Sequence, residues 1–283
     1  MEKIKKGDIV SRKSYGNDIL FVVSRIIRCR SEKTIVILKG LTMRIEADSP
    51  LEDLSLIKGS IIKDRMQQIE DRLEERKIAI LGKDFKKKRK FQRNYATRKE
   101  NEYIYTGKIL HLDGDKRYTD KSYRYYKELG LDAVVRNIPE NKQPLLVRTL
   151  LEKYQPDILV ITGHDAMLKN TKMKEDISNY RNSKYFAKTV LEARKWDTEG
   201  KLVIFAGACQ SYFELLMSSG ANFASSPGRV LIDFVDPLII AEKVATTEKY
   251  KYITIEDIAY ELRDGTKGVG GIGAKGKKEI ILA

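Results

Sequence analysis

Apolar positions fall into three successive patterns along the chain. Short clusters occupy the first sixty residues, at Asp8-Ile9-Val10, Ile19-Leu20-Phe21-Val22-Val23 and Thr34-Ile35-Val36-Ile37-Leu38, separated by Tyr15-Gly16-Asn17-Asp18 and followed by Lys39-Gly40. Strand runs broken by turn residues predict a small SH3- or KOW-like β-barrel over 1–60. From Ile61 to Glu100 the spacing lengthens. Ile62, Met66, Ile69 and Leu73 recur at helical intervals before the chain enters Lys86-Lys87-Lys88-Arg89-Lys90. A run of like charge cannot bury itself, so 61–100 reads as an exposed basic helical linker.

Beyond residue 101 apolar runs alternate with amphipathic stretches. Lys108–Leu112, Ala133–Val135, Ile158–Thr162, Leu202–Ala206 and Val230–Phe234 have the length and composition of buried strands. Helices fit between them. Thr119 or Asp120 can cap one ending at Leu129-Gly130; Leu145, Leu146, Thr149, Leu150 and Tyr154 share a face of the next; Ser183 can cap Lys184–Trp196; Asp236-Pro237 opens Leu238–Thr246. The alternation implies an α/β domain over 101–283, a mostly parallel sheet with helices on both faces.

Charge sharpens the middle segment. The 283 residues carry a net charge of +14. Residues 1–60 hold 12 basic and 8 acidic groups, 61–100 hold 14 and 7, and 101–283 hold 28 and 25, so half of the excess sits in forty residues. This permits one alternative function, a basic RNA- or scaffold-binding protein using the barrel and the Lys-rich linker. No aromatic RNA-binding motif accompanies the run, and nucleic acid is not the expected partner. No apolar stretch reaches the roughly 18 residues that span a bilayer, and no secretory h-region follows Met1, so membrane insertion is not expected and a cytoplasmic setting is. Cys29 and Cys209 are expected as free thiols. With His111 and His164 they form no metal-ligand spacing, so neither metal nor cofactor is expected.

In a parallel α/β sheet, sites form in the loops at the carboxyl ends of strands. Ile158–Thr162 runs into Gly163-His164-Asp165, and Leu202–Ala206 runs into Gly207-Ala208-Cys209-Gln210-Ser211. One crossover separates them, which brings both loops to one edge. Cys209 would also precede the helix Ser211–Met217, whose N-terminus favours a thiolate. The pair reads as an activated nucleophile and its base, with the backbone N–H of Cys209 able to serve an oxyanion hole. His111, inside a strand, reads as structural. Gly268–Gly276 lacks the strand and helix of a dinucleotide loop and reads as a flexible tail. His before Cys is the order of the caspase–gingipain–legumain type of fold. That type takes a second oxyanion N–H from the residue after His, so the resemblance implies the Asp165 backbone in this role; the Asp165 carboxylate departs from the caspase His-Gly pattern, and the sequence assigns it no role.

Read together, Ile109–Asp115, Pro156–Asp165, Asn179–Phe186, Phe205–Ser211 and Gly220–Pro227, with Lys6-Gly7-Asp8-Ile9-Val10 and Arg12–Tyr15 near the start, resemble the YabG family of sporulation-specific cysteine proteases over essentially the whole chain. The resemblance implies an endopeptidase made in the sporulating mother cell and associated with the spore coat. It implies cleavage of coat and germination proteins after Arg or Lys, and self-processing. A basic P1 residue requires a carboxylate at the base of its pocket. Asp113 and Asp115 follow the first strand and Asp233 and Asp236 flank the fifth, with Asp113 preferred because related folds place acidic groups there. An ordinary turn at 113–115 and a helix cap at 236 are the structural alternatives. The mobile basic segment Lys86–Arg98 is the expected site of self-cleavage.

Overall fold

In the computed structural model, residues 4–28, 34–81, 97–99, 102–168 and 174–282 are described. The N-terminal strands β1 (Ile9–Arg12), β2 (Phe21–Arg28), β3 (Thr34–Gly40), β4 (Glu46–Pro50) and β5 (Leu54–Leu56) form an antiparallel sheet in the order β4-β3-β2-β1-β5. Alternation along them turns Val10, Phe21, Val23, Val36 and Leu38 into one apolar cluster. That cluster is shared: Ala166, Cys209 and Ile232 of the α/β part belong to it.

The helix α1 (Ser60–Leu81) departs from the exposed linker expected of 61–100. Ile69 and Leu73 are buried in the core of the α/β part, and Arg72, Arg76 and Lys77 pair with Asp233, Glu242 and Glu128. Charge periodicity alone could not show that acidic partners wait on another element. The Lys86–Lys90 run lies outside the described residues, as does Cys29.

After β6 (Thr97–Lys99) and β7 (Glu102–Tyr105), the chain builds the main sheet from β8 (Ile109–Asp113), β9 (Ala133–Asn137), β10 (Ile158–Thr162), β11 (Val203–Ala206) and β12 (Phe223–Ser225). These five are parallel. With β13 (Tyr252–Ile253) set apart, β14 (Val269–Gly271) closes the edge antiparallel, giving the order β14-β12-β11-β10-β8-β9. Successive strand residues face opposite layers. Ile109, Val160 and Phe205 pack with α1, α2 (Lys116–Glu128) and α6 (Asp236–Thr246); Leu110, Leu159 and Ile204 pack with α3 (Gln143–Tyr154), α4 (Ser183–Trp196) and α5 (Phe213–Ser218).

Three local expectations are corrected. The fifth strand is Phe223–Ser225, because at 230–234 the backbone is tied elsewhere: Asp236 accepts the Asp233 N–H and Asp233 accepts that of Val235. Helix α2 starts earlier than expected because Asp115 caps it through the Arg117 N–H, at 2.9 Å. The glycine-rich 268–276 stretch is no loose tail: it contributes β14 and then β15 (Ala274–Lys275), paired with β13, before β16 (Glu279–Leu282) joins β7.

The strand order reverses direction between β8 and β10. The chain passes from β8 over α2 to β9, then back over α3 to β10 on the other side of β8. Such a reversal opens a crevice at the carboxyl ends. Here Asp113 and Thr162 stand side by side in register at its mouth.

Candidate active site

The loop after β10 carries His164, and a carboxylate supports it from below. Glu140 Oε1 accepts the His164 N–H at 2.9 Å. A Cβ on Gly163 or Gly114 would lie within 2.5 Å of that carboxylate, so both positions must be bare for it to approach. The His164 carbonyl accepts from Asn182 Nδ2 at 2.7 Å, and Tyr118 stacks on the ring with centroids 5.4 Å apart. His164 Nε2 lies 3.5 Å from the Gly40 carbonyl and 3.7 Å from Asp115 Oδ2. With Nε2 as the N–H donor, Nδ1, which has no hydrogen-bond partner among the described residues, keeps its lone pair.

Cys209 follows β11 in a tight turn. Gly207 has φ 115°, and a Cβ there would meet Ser225 Oγ at 2.2 Å, while Gln210 is left-handed at φ 53°. Ser211 Oγ accepts the Ala208 N–H and Ser183 Oγ accepts that of Tyr212, so α5 begins only at Phe213. The thiol is therefore not placed directly at a helix N-terminus as expected. It donates to the Ile232 carbonyl at 3.5 Å, and burial pushes it up to about 12. Burial, with Lys39 nearby, lowers His164 to about 3. Both groups are fully buried and neutral at physiological pH.

Asp165, the departure in the sequence, holds the two loops together. Its carboxylate accepts the N–H groups of Ala166 and Asn182, at 2.9 and 2.7 Å, and the hydroxyls of Ser183 and Ser211. Burial still raises it to about 6. One side chain thus joins the His164 loop, the start of α4 and the Cys209 turn.

What buries the pair is the turn between β3 and β4. Gly40 reaches His164, and Arg44 enters the crevice fully buried. The Arg44 carbonyl accepts two hydrogen bonds, from the Cys209 N–H at 3.2 Å and the Asp165 N–H at 3.1 Å. Its Nη1 donates to Asp113 Oδ2 at 2.6 Å, and its guanidinium lies 4.8 Å from the Tyr118 ring centroid and 5.4 Å from that of Phe234. Asp113 is itself held by the Thr162 hydroxyl at 2.9 Å and the Asp115 N–H at 2.8 Å. Thr162 leans on His111, whose other ring nitrogen meets Tyr126, so His111 supports the pocket from within the sheet. On either side of Arg44, Met43 bridges Asp233 antiparallel and Ile45 bridges Asp165.

The four acidic positions therefore separate. Asp113 meets the guanidinium; Asp115 caps α2, pairs with Arg117 and stands by His164; Asp233 pairs with Arg72; Asp236 accepts backbone N–H groups of Asp233 and Arg263. Asp236 is raised to about 7, by burial first and Asp233 second. Arg44, Tyr118 and Glu140 were not singled out from sequence, and Gly40 was read there only as a turn residue. A lone arginine in a hairpin turn carries no periodic or motif signal.

The model of the YabG peptidase U57 family matches residues 5–282. The chain is 41% identical over 97% of its length, and 96% of the other's, to the sporulation-specific protease YabG of Bacillus subtilis (strain 168). No solved structure matches the chain.

Proposed function

From the premise that this chain belongs to the YabG peptidase family, we propose that it is a cysteine endopeptidase acting through His164 and Cys209 on bonds that follow Arg or Lys. The observation that carries the reading is Arg44: one residue has its carbonyl on the N–H groups of Cys209 and Asp165 and its guanidinium on Asp113. Two convergent N–H donors are what a developing oxyanion requires. A carboxylate between aromatic walls is what a basic P1 side chain requires.

His164 Nδ1 takes the proton of Cys209, the thiolate attacks the scissile carbonyl, and the two N–H groups hold the oxyanion. The imidazolium then protonates the departing amine, and water releases the acyl group. The Gly40 carbonyl and Asp115 orient the ring through Nε2. Arg44 engages Asp113 through Nη1 alone, leaving Nε and Nη2 without hydrogen-bond partners among the described residues. A single-point contact also suits an ammonium, which favours acceptance of both Arg and Lys.

The sheet order, with its antiparallel edge strand and His before Cys, supports a caspase-type architecture for 101–283. The β4-β3-β2-β1-β5 order, with the 3-10 turn Leu51–Asp53 before β5, supports an SH3-like barrel for the N-terminal part. Spore coat and germination proteins, met in the mother cell, are the proposed substrates. No helix among the described residues is long and apolar enough to cross a membrane.

The test is hydrolysis of a peptide library varied at P1, with Cys209→Ala and His164→Ala beside the unsubstituted chain. Cleavage confined to Arg and Lys and lost in both variants is expected. Well-folded protein that leaves every peptide intact would overturn the reading.

A further inference from the structure

We infer that the β3–β4 turn is the enzyme's own first substrate, held for cleavage of the Arg44–Ile45 bond within the same molecule. The inference rests on the peptidase reading above and adds the bond, its direction and its consequence.

The turn meets the crevice as a substrate would, on both sides of one peptide bond. Before it, Met43 pairs antiparallel with Asp233, the Arg44 side chain fills the acidic pocket, and the Arg44 carbonyl occupies the paired N–H donors. After it, Ile45 pairs with Asp165, and the Glu46 N–H donates to the Asp165 carbonyl at 3.0 Å. A basic residue fastened only for stability would need Asp113. It would not need its carbonyl on the two N–H groups next to the nucleophile and the histidine.

The step balances with water as the only co-reactant. The Sγ proton passes to His164 Nδ1, and sulfur bonds to the Arg44 carbonyl carbon. The carbon–nitrogen bond to Ile45 breaks, and that nitrogen leaves as the Ile45 α-amine carrying the proton. Water then cleaves the thioester, giving the Arg44 carboxylate and the free thiol. Until the bond is cut, Arg44 fills the pocket that another protein's arginine would enter, so the intact chain is latent.

Purified full-length chain, followed by intact mass and N-terminal sequencing, tests this. The expected result is fragments 1–44 and 45–283, with Ile45 as the new N-terminus, appearing at a rate constant independent of protein concentration. Cys209→Ala stays whole, Arg44→Gln is cut at this bond at least 100-fold more slowly, and Arg44→Lys, which keeps a cation for Asp113, is still cut. A reporter peptide with P1 arginine should show a lag that tracks the appearance of the fragments. Hydrolysis of that peptide while Arg44–Ile45 stays whole, cleavage only elsewhere such as 86–98, or an unchanged rate in Arg44→Gln would overturn the inference and leave the peptidase reading standing. Folded chain that cuts neither the peptide nor itself would overturn both.

Discussion

Among the arginines of the N-terminal eighty residues that reach carboxylates in the α/β part, Arg76 and Arg44 do different things. Arg76, on α1, meets Glu242 at 2.5 Å and also pairs with Glu261 at the helical face of the sheet. Its backbone is inside a helix. Arg44 meets Asp113 at 2.6 Å, yet it lies in a turn between the bridges at Met43 and Ile45, with its carbonyl hydrogen-bonded by the N–H groups of Cys209 and Asp165. The same charge pairing thus fastens one element and, at the other, accompanies a peptide carbonyl set on the N–H groups of Cys209 and Asp165. Ion pairing alone does not identify a functional contact; what the attached backbone can do decides it.

The contrast can be pressed hardest at Cys209. Its replacement by Ala should abolish peptide hydrolysis, a loss of about 10⁴-fold or more, while thermal melting shows the chain still folded. Asp113→Asn comes next. Loss of a buried charge partner costs about 2–5 kcal/mol, so kcat/KM toward P1 arginine should fall by roughly 30- to 5,000-fold. Steady-state kinetics on Arg and neutral P1 peptides would show whether the loss is specific to the cation.

Arg76→Met should reverse the pattern. Part of the Arg76 side chain still meets water, so the expected cost is about 2 kcal/mol of stability, below that of a fully buried pair. Chemical denaturation should register that cost with kcat/KM unchanged; a matching loss of activity would erase the distinction drawn above. The thiol gives a subtler reading. An acid pushed up to about 12 stays protonated below that pH, leaving a thiolate fraction of roughly 10⁻⁴ at pH 8. In a Cys29→Ser background, alkylation of the intact chain should rise about tenfold per pH unit from 7 to 10, and a plateau in that range would contradict a buried neutral thiol. The smallest effect concerns the cut chain. The ladder from Ile35↔Pro50 to Lys39↔Glu46 still ties β3 to β4, so the fragments should co-elute in native gel filtration and separate only in denaturant.

The apolar pattern was legible because burial on both faces of a parallel sheet leaves continuous runs. Ile158–Thr162 stands as expected, and 203–206 and 109–113 lie within a residue of their expected bounds. It failed at Val230–Phe234, where Asp233 and Asp236 take up backbone N–H groups. It failed again at α1, whose charges find partners far along the chain. The placement of His164, Asp165 and Cys209 was legible because each follows a strand end, where βα loops must lie. The carboxylate of Asp165 had no visible role because its hydroxyl partners, Ser183 and Ser211, sit on two other segments.

By itself the sequence determined the alternation of strands and helices, the sheet edge at which His164 and Cys209 gather, and their residue types. Those follow from local periodicity and from the handedness of crossovers, which act within a few tens of residues. Tertiary structure alone decided which of four acidic positions meets a cation, which nitrogen of His164 stays free, and what fills the crevice. Arg44 lies 69 positions before Asp113 and 165 before Cys209. Only the shared core of the two sheets brings it there, and no property of a lone arginine in a turn encodes that meeting.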